Sequence, residues 1–356
     1  MEENNKSSYR SIFWPVLLIG VGIIWLLGSL NLLPVPSLRL LLRLWPLALV
    51  FIGLYILIGR RSPIIGGLIG ISFIVLVIAL LFLAPTLGLE PEGELKTLQF
   101  SEPLGGATSA DITLDLDRYP TTVDSLSSPE MLIAAELDTV TDVSFSTRGN
   151  QEKIVRVEPA GDYSFFVFDW DSLLMRDASW EIGLSPEVPM DLFVDVGSGS
   201  ANLDLMDLDL SNLEVDGGSG STTLTLPASA SSYTANIDGG SGSFDIEIED
   251  DANIDLAIDV GSGSFNIVIG NSSNIEAQID GGSGSLTINV PKNVGVRVVI
   301  RDSGSGSVHM SGNYTLVDDL GDDDKDIGIW ESEGYNDALH RVEITFDPGS
   351  GSFRLR

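Results

Sequence analysis

The sequence contains no cysteine and only two histidines, His309 and His340. Without cysteine the chain can form neither a disulfide framework nor a thiolate site. Most acid–base and metal mechanisms rely on histidine near neutral pH, so its scarcity argues against those mechanisms as well. We therefore expect a protein that is not an enzyme and that uses no cofactor.

Lysine and arginine are also scarce, and they are unevenly placed. Residues 91–356 hold 13 of the 19 basic residues and 48 of the 51 acidic ones. From Asp177 to Pro291 there is no lysine or arginine, whereas there are 20 aspartates and glutamates. Affinity for nucleic acid comes from lysine and arginine contacts with phosphates. The composition therefore excludes nucleic acid as a partner and favours cations, cationic peptides or basic protein surfaces.

The chain begins with three long uncharged stretches, residues 11–38, 44–59 and 62–89. A helix needs about 20 apolar residues to cross a bilayer. The middle stretch is shorter, but the arginines at its ends can extend toward the membrane interface. We therefore predict that residues 1–89 are a membrane anchor embedded in the lipid bilayer. The predicted spans lie near residues 13–32, 42–59 and 64–87.

The first two predicted spans look duplicated. Trp14-Pro15 and Trp45-Pro46 lie 31 positions apart, each at the start of an apolar stretch. Tryptophan suits the membrane interface, and proline in a first helical turn loses no hydrogen bond. Small residues either allow close helix approach or merely reflect the abundance of glycine in membrane helices; they are Gly20, Gly22, Gly53, Gly66, Gly67 and Gly70.

The basic residues around the spans indicate an orientation. Four of them precede the first span or follow the second, whereas Arg39 and Arg43 lie between these spans. The positive-inside rule then places the N-terminus in the cytoplasm. Three crossings give a multi-pass protein of the cell membrane with an extracytoplasmic C-terminal domain. A re-entrant second segment would reverse that placement.

A repeat dominates the rest of the chain. The motif Asp-x-Gly-Ser-Gly-Ser occurs seven times, with successive spacings of 21, 22, 21, 21, 22 and 45 residues. Apolar and polar residues alternate on both sides of each motif, as in half-buried strands. One unit cannot bury its apolar face alone, but a stack can. Residues 191–356 are therefore predicted to form a β-solenoid of 21–22-residue coils with one aligned corner, at Asp195, Gly197, Asp216, Gly218, Asp238, Gly240, Asp259, Gly261, Asp280, Gly282, Asp302, Gly304, Asp347 and Gly349.

The remaining boundaries follow from looser patterns. Residues 90–94 read as a linker, and residues 95–190 as an irregular β region that opens the solenoid. Strands are expected there at Ile154–Val157, Ser164–Phe168 and Ser179–Leu184. Residues 312–339 are predicted to form a long loop excursion, in which a run of acidic residues lies beside Trp330 and Tyr335. This run is interpreted either as a solvated loop or as a binding loop.

The repeated corner admits two interpretations. A glycine-flanked serine suggests a nucleophile, but seven copies without a nearby base argue against catalysis. An aspartate can instead accept a hydrogen bond from the backbone two residues on, forming an Asx-turn. Stacked aspartates would also repel one another, so Ca²⁺ between them is the alternative, with the candidate ligands Asp216, Asp238, Asp259 and Asp280.

Outward-facing acidic residues form a candidate docking face for a cationic partner. The alternative is that they only keep the surface soluble. The predicted members of this face are Asp204, Glu214, Asp245, Glu247 and Glu276.

The chain resembles a known family combination. The tandem Phe13-Trp14-Pro15 and Leu44-Trp45-Pro46 spans resemble the membrane region of LiaI/LiaF-type cell-envelope stress proteins. The remainder is similar to the toast-rack, or adhesin-like, domain of cell-wall-active-antibiotics-response proteins, on 104–107, 180–185, 189–192 and the Asp-x-Gly-Ser-Gly repeats. The resemblance implies a right-handed single-stranded β-helix, residence in a bacterial membrane and modulation of a membrane sensor kinase. It implies no catalytic residues.

Two functional hypotheses remain open. In the first, the solenoid belongs to a signalling protein and binds a sensor kinase or a cationic peptide. In the second, the solenoid is a structural or adhesive stalk that self-associates.

Overall fold

The computed structural model describes residues 12–30, 44–59, 62–83, 95–160, 178–302, 304–320 and 327–356. They fall into two compact units, a helical one before residue 95 and an all-β one from Leu95 onwards. The strand expected at Ser164–Phe168 lies outside the described residues.

The helical unit contains three apolar helices. Among the described residues only the third is long and apolar enough to cross a membrane, with 21 residues and a mean hydropathy of 3.0. The first two have 17 and 13 residues, so they are shorter than the spans predicted at those positions. Their bounds are α1 Phe13–Ser29, α2 Trp45–Leu57 and α3 Pro63–Leu83.

Glycine allows close packing in this unit at some of the expected positions and not at others. A Cβ on Gly20 would lie 2.2 Å from Cδ1 of Ile74 on α3, and one on Gly66 would lie 3.2 Å from the carbonyl oxygen of Gly59. Gly22 and Gly53 have no neighbour within 4 Å of such a Cβ. Close helix approach therefore explains Gly20 and Gly66 but leaves Gly22 and Gly53 unexplained.

The all-β unit consists of two sheets. Sheet 1 has the strand order β1-β4-β7-β3-β9-β11-β13-β15-β17-β23-β19, and sheet 2 has the order β20-β21-β18-β22-β16-β14-β12-β10-β8-β2-β6-β5. The strands are β1 Lys96–Pro103, β2 Ser109–Asp115, β3 Thr121–Ser125, β4 Met131–Thr139, β5 Asp142–Arg148, β6 Glu152–Ala160, β7 Trp180–Leu184, β8 Met190–Gly197, β9 Ala201–Asp204, β10 Leu210–Gly217, β11 Ser221–Leu226, β12 Tyr233–Asp238, β13 Ser243–Ile248, β14 Asn253–Asp259, β15 Ser264–Ile269, β16 Asn274–Asp280, β17 Ser285–Asn289, β18 Gly295–Ile300, β19 Ser307–Met310, β20 Tyr314–Asp318, β21 Gly328–Ser332, β22 Arg341–Asp347 and β23 Ser352–Leu355.

The solenoid core is a set of apolar rows between the two sheets. Each coil passes from a strand of sheet 2, through a corner, to a strand of sheet 1, and its alternate side chains point inward. Ile246 and Ile267 are only 2% and 1% exposed. Phe244 and Phe265 stack one above the other with ring centroids 4.8 Å apart. The regular alternation in the sequence therefore becomes a continuous core.

The coils from Met190 to Asn289 stack in the order of the sequence, and we call them the sequential coils. Each of their strands pairs in parallel with the corresponding strand of the next coil. The antiparallel pairs occur towards the two ends of the sheets, for example β1 with β4 and β20 with β21.

The stacking order breaks after Asn289, which corrects the prediction that the coils of residues 191–356 follow one another with aligned corners. The coil formed by β18 and β19 does not contact β16 and β17 through strand pairing. The coil formed by β22 and β23 lies between them, paired on both sides. We call β18–β19 the displaced coil and β22–β23 the intercalated coil. The predicted acidic loop at 312–339 also contains two strands, β20 and β21, which extend sheet 2.

Candidate functional site

The repeated corner is built on Asx-turns. The carboxylate of Asp195 accepts a hydrogen bond from the backbone N–H of Gly197 at 3.0 Å. The same hydrogen bond, from the backbone N–H two residues on, recurs at Asp238, Asp259 and Asp280, with distances of 3.0, 2.8 and 3.2 Å. The carboxylate thus has a backbone partner at these four corners, as the Asx-turn interpretation of the motif predicts.

The corner glycines are required by close stacking of the backbone. Gly261 has a φ of +57°, and a Cβ built on it would lie 2.3 Å from the carbonyl oxygen of Gly240 in the preceding coil. The backbone N–H of Ser262 donates a hydrogen bond to that same carbonyl at 2.8 Å. The serine N–H groups therefore join successive corners, and any side chain larger than hydrogen at the glycine would separate them.

The corner aspartates form one row along the edge of sheet 2. Register pairing places Asp195 beside Asp216 and continues through the following corners to Asp347, which neighbours Asp280. Asp115 on β2 extends the row, because it pairs with Asp195. Sequence reasoning missed Asp115 because no Gly-Ser-Gly-Ser follows it, although its position at the end of an alternating strand was a signal.

Two members of the row have altered acidity. Burial raises the pKa of Asp115, and the neighbouring Asp195 carboxylate raises it further. Burial also raises the pKa of Asp216, with added repulsion from Asp195 and Asp238. Among the described corners, Asp216 and Asp347 lack the carboxylate-to-glycine bond of the Asx-turn. The row is therefore a line of like charges that is only partly compensated by backbone N–H groups.

Asp302 does not continue the row in register. Ile300 lies opposite Phe346, so the residue that follows Ile300 and comes next to Asp347 is Arg301. The later strands recover the common register, with Ser307 opposite Ser352. The sixth copy of the motif, which begins at Asp302, is thus shifted by one residue against the other corners.

A shallow groove runs along this acidic edge. It has a volume of about 540 Å³ and is lined on one side by the aspartate row. Its floor is formed by shorter, mostly uncharged outward side chains of the neighbouring positions in sheet 2. We call it the acidic groove, and its lining includes Glu214, Asp216, Asn236, Asp238, Ala257, Asp259, Gln278, Asp280, Thr345 and Asp347.

The calcium alternative gains no support from this geometry. Across the described residues, no three acidic or histidine side chains come together in a way that could hold a metal ion. The corner aspartates follow one another in single file, one per coil, at a strand spacing of about 4.8 Å.

The five predicted members of the cationic-partner face point outward, but they belong to two different sheets. Asp204, Asp245 and Glu247 lie on sheet 1, on β9 and β13. Glu214 and Glu276 lie on sheet 2, on β10 and β16. Because they lie on two sheets, the five residues do not form one continuous surface. Alternation along a strand predicts that a residue points outward, but it does not predict which sheet carries the residue.

Sheet 2 concentrates acidic residues beside the groove. One outward row contains Asp255, Glu276 and Glu343 in neighbouring coils, with Thr234 before them and Arg297 after them. The aspartate row runs parallel to this row, four residues further along each strand. The equivalent outward row of sheet 1 changes from Asp245 through Asn266 to Thr287 and Arg354. Sheet 2 is thus the more acidic face, because it also carries the unbroken aspartate row.

The acidic excursion offers no exposed aromatic site. Trp330 and Tyr335 are 9% and 3% exposed. The Tyr335 ring lies under the guanidinium of Arg297 at 4.3 Å, and its hydroxyl donates a hydrogen bond to Glu343. Burial and Glu343 together raise the pKa of Tyr335 to about 12. Residues 321–326, which include much of the acidic run, lie outside the described residues.

Comparison with protein families identifies two adjoining regions. Residues 13–93 match the LiaF transmembrane domain. Residues 96–247 match the N-terminal domain of toast_rack. The first match and the apolar helix α3 indicate that the chain associates with a membrane. A search of curated proteins finds no match.

Several solved structures share a general likeness with the chain. A candidate cell adhesion protein from Clostridium sporogenes has a TM-score of 0.38 and 15% identity, over 74% of this chain and 99% of its own. A candidate adhesin from Bacteroides fragilis has a TM-score of 0.34 and 9% identity, over 75% and 100%. A third, from Parabacteroides distasonis, has a TM-score of 0.29 and 11% identity, over 74% and 98%. At these TM-scores the likeness carries no weight for function.

Proposed function

Since this chain is a LiaF-type transmembrane region fused to a toast-rack domain, we propose that it is a non-enzymatic bacterial membrane protein of cell-envelope stress sensing and signalling. The observation that carries the proposal is the direct succession of the two family matches, at residues 13–93 and 96–247. The solenoid then acts through binding rather than through chemistry.

The proposed topology has three membrane crossings, a cytoplasmic N-terminus and an extracytoplasmic solenoid. The balance of basic residues around the apolar stretches supports it, although α1 and α2 are short for a bilayer of about 30 Å. Protease added to intact spheroplasts should digest the solenoid. Full protection of the solenoid, with digestion only after lysis, would instead require an even number of crossings.

The proposed binding surface is the face of sheet 2 that carries the acidic groove. Two parallel acidic rows flank small outward side chains there, which leaves room for an extended cationic segment. Such a field accelerates the association of positive ligands and weakens with ionic strength, because the Debye length is about 8 Å at physiological salt. The proposed ligand is a cationic peptide or the basic surface of a membrane sensor kinase.

A pair of charge-reversal variants tests this choice of face. One variant carries Asp255→Lys and Glu276→Lys on sheet 2, and its matched control carries Asp245→Lys and Glu247→Lys on sheet 1. The full chain in detergent is titrated with a cationic peptide at low and at physiological salt. We expect the sheet 2 variant to lose most of the affinity and the sheet 1 variant to keep most of it. Equal losses, or no affinity even at low salt, would leave the acidic surface with only a solubilising role.

A deletion distinguishes signalling from adhesion. Loss of a signalling protein should alter the transcriptional response to a cell-wall-active agent, measured with a reporter. An unchanged response together with reduced surface attachment would favour the structural or adhesive alternative, in which the solenoid serves as a stalk.

A further inference from the structure

The intercalated coil occupies a space between two other coils. Strand β22 pairs in parallel with β16 on one side and with β18 on the other, and β23 pairs in the same way with β17 and β19. The displaced coil precedes the intercalated coil in the sequence but lies beyond it in the stack. The space therefore has two complete walls that belong to residues 274–310.

The bonds that hold the intercalated coil repeat those between the sequential coils. The backbone N–H of Ser350 donates to the carbonyl of Gly282 at 2.7 Å, as that of Ser283 donates to Gly261 at 2.7 Å. On the other wall, Ser305 donates to the carbonyl of Gly349 at 3.0 Å. Recognition of the coil therefore depends on its own corner and strands, and any segment with the same sequence can make the same bonds.

The side chains of this coil fill the core at that level. Phe346 and Phe353 stack with ring centroids 4.4 Å apart, and each is at most 4% exposed. Without the coil, the two walls would expose strand edges and apolar core to water. Such edges pair readily with another chain. An unfilled space of this kind is thus a binding site for one coil of matching sequence.

The connection to the coil does not fix which chain supplies it. Residues 311–340 join the displaced coil to the intercalated coil, and Leu339 near the end of this connection is 90% exposed. Strand β21 of the connection pairs with β18, and the Tyr335 ring packs against Arg297, so this part of the connection stays on the displaced coil. Residues 336–340 are therefore the hinge that leads into the intercalated coil, and short hinges of this kind favour exchange between chains. Exchange of an identical element between protomers is a low-cost route to a dimer.

We infer that the space between β16–β17 and β18–β19 is an acceptor site for residues 341–355 of a second copy of this chain. Two copies then exchange their intercalated coils and form a dimer in which each space is filled in trans. This inference is independent of the proposed signalling function, because it requires neither a cationic ligand nor a kinase.

Engineered cysteines can detect the exchange, because the chain has none of its own. Gln278 on β16 and Thr345 on β22 are register partners that both point outward. Neighbouring parallel strands hold such partners about 4.8 Å apart, which is within disulfide range. One full chain carries Gln278→Cys and a differently tagged full chain carries Thr345→Cys. The two are co-expressed, solubilised and oxidised.

The matched control uses two sequential coils. Asn236 on β12 and Ala257 on β14 are also outward register partners on sheet 2. Their two coils, however, follow each other directly both in the sequence and in the stack. We expect a disulfide-linked heterodimer for Gln278→Cys with Thr345→Cys, in severalfold excess over Asn236→Cys with Ala257→Cys. Both changes in one chain should give an intramolecular disulfide, which shows that the variants fold and that the partners are adjacent.

Three outcomes would overturn the inference. The first is an efficient intramolecular disulfide with no heterodimer above the control, which means that the coil stays in its own chain. The second is equal heterodimer from both pairs, which means non-specific contact. The third is failure of the intramolecular disulfide in a variant that otherwise retains its solenoid, which means that β22 does not lie beside β16.

Discussion

The sequential coils and the coils after Asn289 share one repeat but differ in stacking order. In both regions an alternating strand, a glycine–serine corner and a second strand make one coil, with the same backbone bonds between corners. Only the sequential coils follow the order of the chain. The repeat therefore determines the shape of a coil and its attachment to a neighbour, but not which neighbour it receives.

Loop length does not explain the difference. Four residues join β13 to β14 in adjacent coils, and five residues, 290–294, join β17 to β18 across an extra coil. An extended residue spans about 3.3 Å, so either loop can reach one or two strand spacings of about 4.8 Å. The order is instead set by the long 311–340 connection, which lets the intercalated coil return.

Among the substitutions that compare the two regions, truncation of matched core residues should lower stability the most. Ile267 in the sequential coils and Ile344 in the intercalated coil are each 1% exposed. Replacement of either by alanine removes buried methyl groups and leaves a cavity, so each should lower the free energy of unfolding by about 2–5 kcal/mol. Urea unfolding of the two variants measures the loss.

The number of transitions sharpens the result. If both regions unfold as one cooperative unit, Ile267→Ala and Ile344→Ala shift the same single transition. A separate early transition in Ile344→Ala alone would show that the intercalated coil opens independently of the sequential coils. A loss well below about 1 kcal/mol in either variant would contradict its placement in the core.

Much of the sequential region could be predicted from the sequence. The alternation on both sides of each motif predicts inward residues such as Ile246 and Ile267, and the motif spacing predicts the row from Asp195 to Asp280, because both depend on local periodicity. The position of Ile344 between β16 and β18 could not be predicted, since it depends on pairing between residues far apart in the chain. The one-residue shift at Asp302 is invisible for the same reason.

The candidate site was predictable to a smaller extent. Sequence pattern placed Asp204 and Glu214 outward but did not separate the two sheets, because every coil contributes outward residues to both. Asp115 joined the aspartate row although it lacks the motif. The acidic groove itself depends on the small residues Asn236 and Ala257 lying next to each other, which only the register reveals.

The corner glycines provide a second comparison between the regions. Gly261 and Gly304 have φ values of +57° and +50°, and an added Cβ would lie 2.3 and 2.1 Å from a carbonyl oxygen of the neighbouring coil. Replacement of either by alanine should cost about 1–3 kcal/mol through backbone strain and this clash. Thermal unfolding measures the cost, and Gly106→Ala, with positive φ but no atom within 4 Å of the Cβ, separates the strain from the clash. Equal losses in all three would mean that stacking contributes nothing.

The contacts of Tyr335 should stabilise the coils after Asn289 and not the sequential coils. Arg297 on β18 lies over the Tyr335 ring at 4.3 Å and donates a hydrogen bond to Glu331 at 2.6 Å. Arg297→Ala should therefore lower stability by about 1–2 kcal/mol. Arg354 on β23 forms no ion pair among the described residues, so Arg354→Ala is the control and should change stability by less than about 0.5 kcal/mol. Hydrogen exchange that rises across β13–β15 rather than β18 and β22 would contradict this assignment.

The smallest expected effect concerns the aspartate row. The pKa of Asp216 is raised above its ordinary value of 3.8 by partial desolvation of its carboxylate and by the like charges of Asp195 and Asp238. Folding therefore takes up protons in the pH range just above 3.8, so this group favours folding as the pH falls through that range and opposes folding at neutral pH. Asp216→Asn removes the charge and should raise Tm slightly at pH 7. The gain in the free energy of unfolding should be well under about 1 kcal/mol, because most of the side chain is exposed.

The comparison with Asp347 tests whether repulsion is the cause. Both corners lack the carboxylate-to-glycine bond, but Asp347 has Asp280 on one side only, and Arg301 follows the strand on its other side. Asp347→Asn should therefore gain less than Asp216→Asn at pH 7 and low salt. Added salt should reduce the gain of Asp216→Asn, because screening weakens the repulsion that the substitution removes. A gain that is the same for both variants and insensitive to salt would assign the effect to the amide group rather than to the row of like charges.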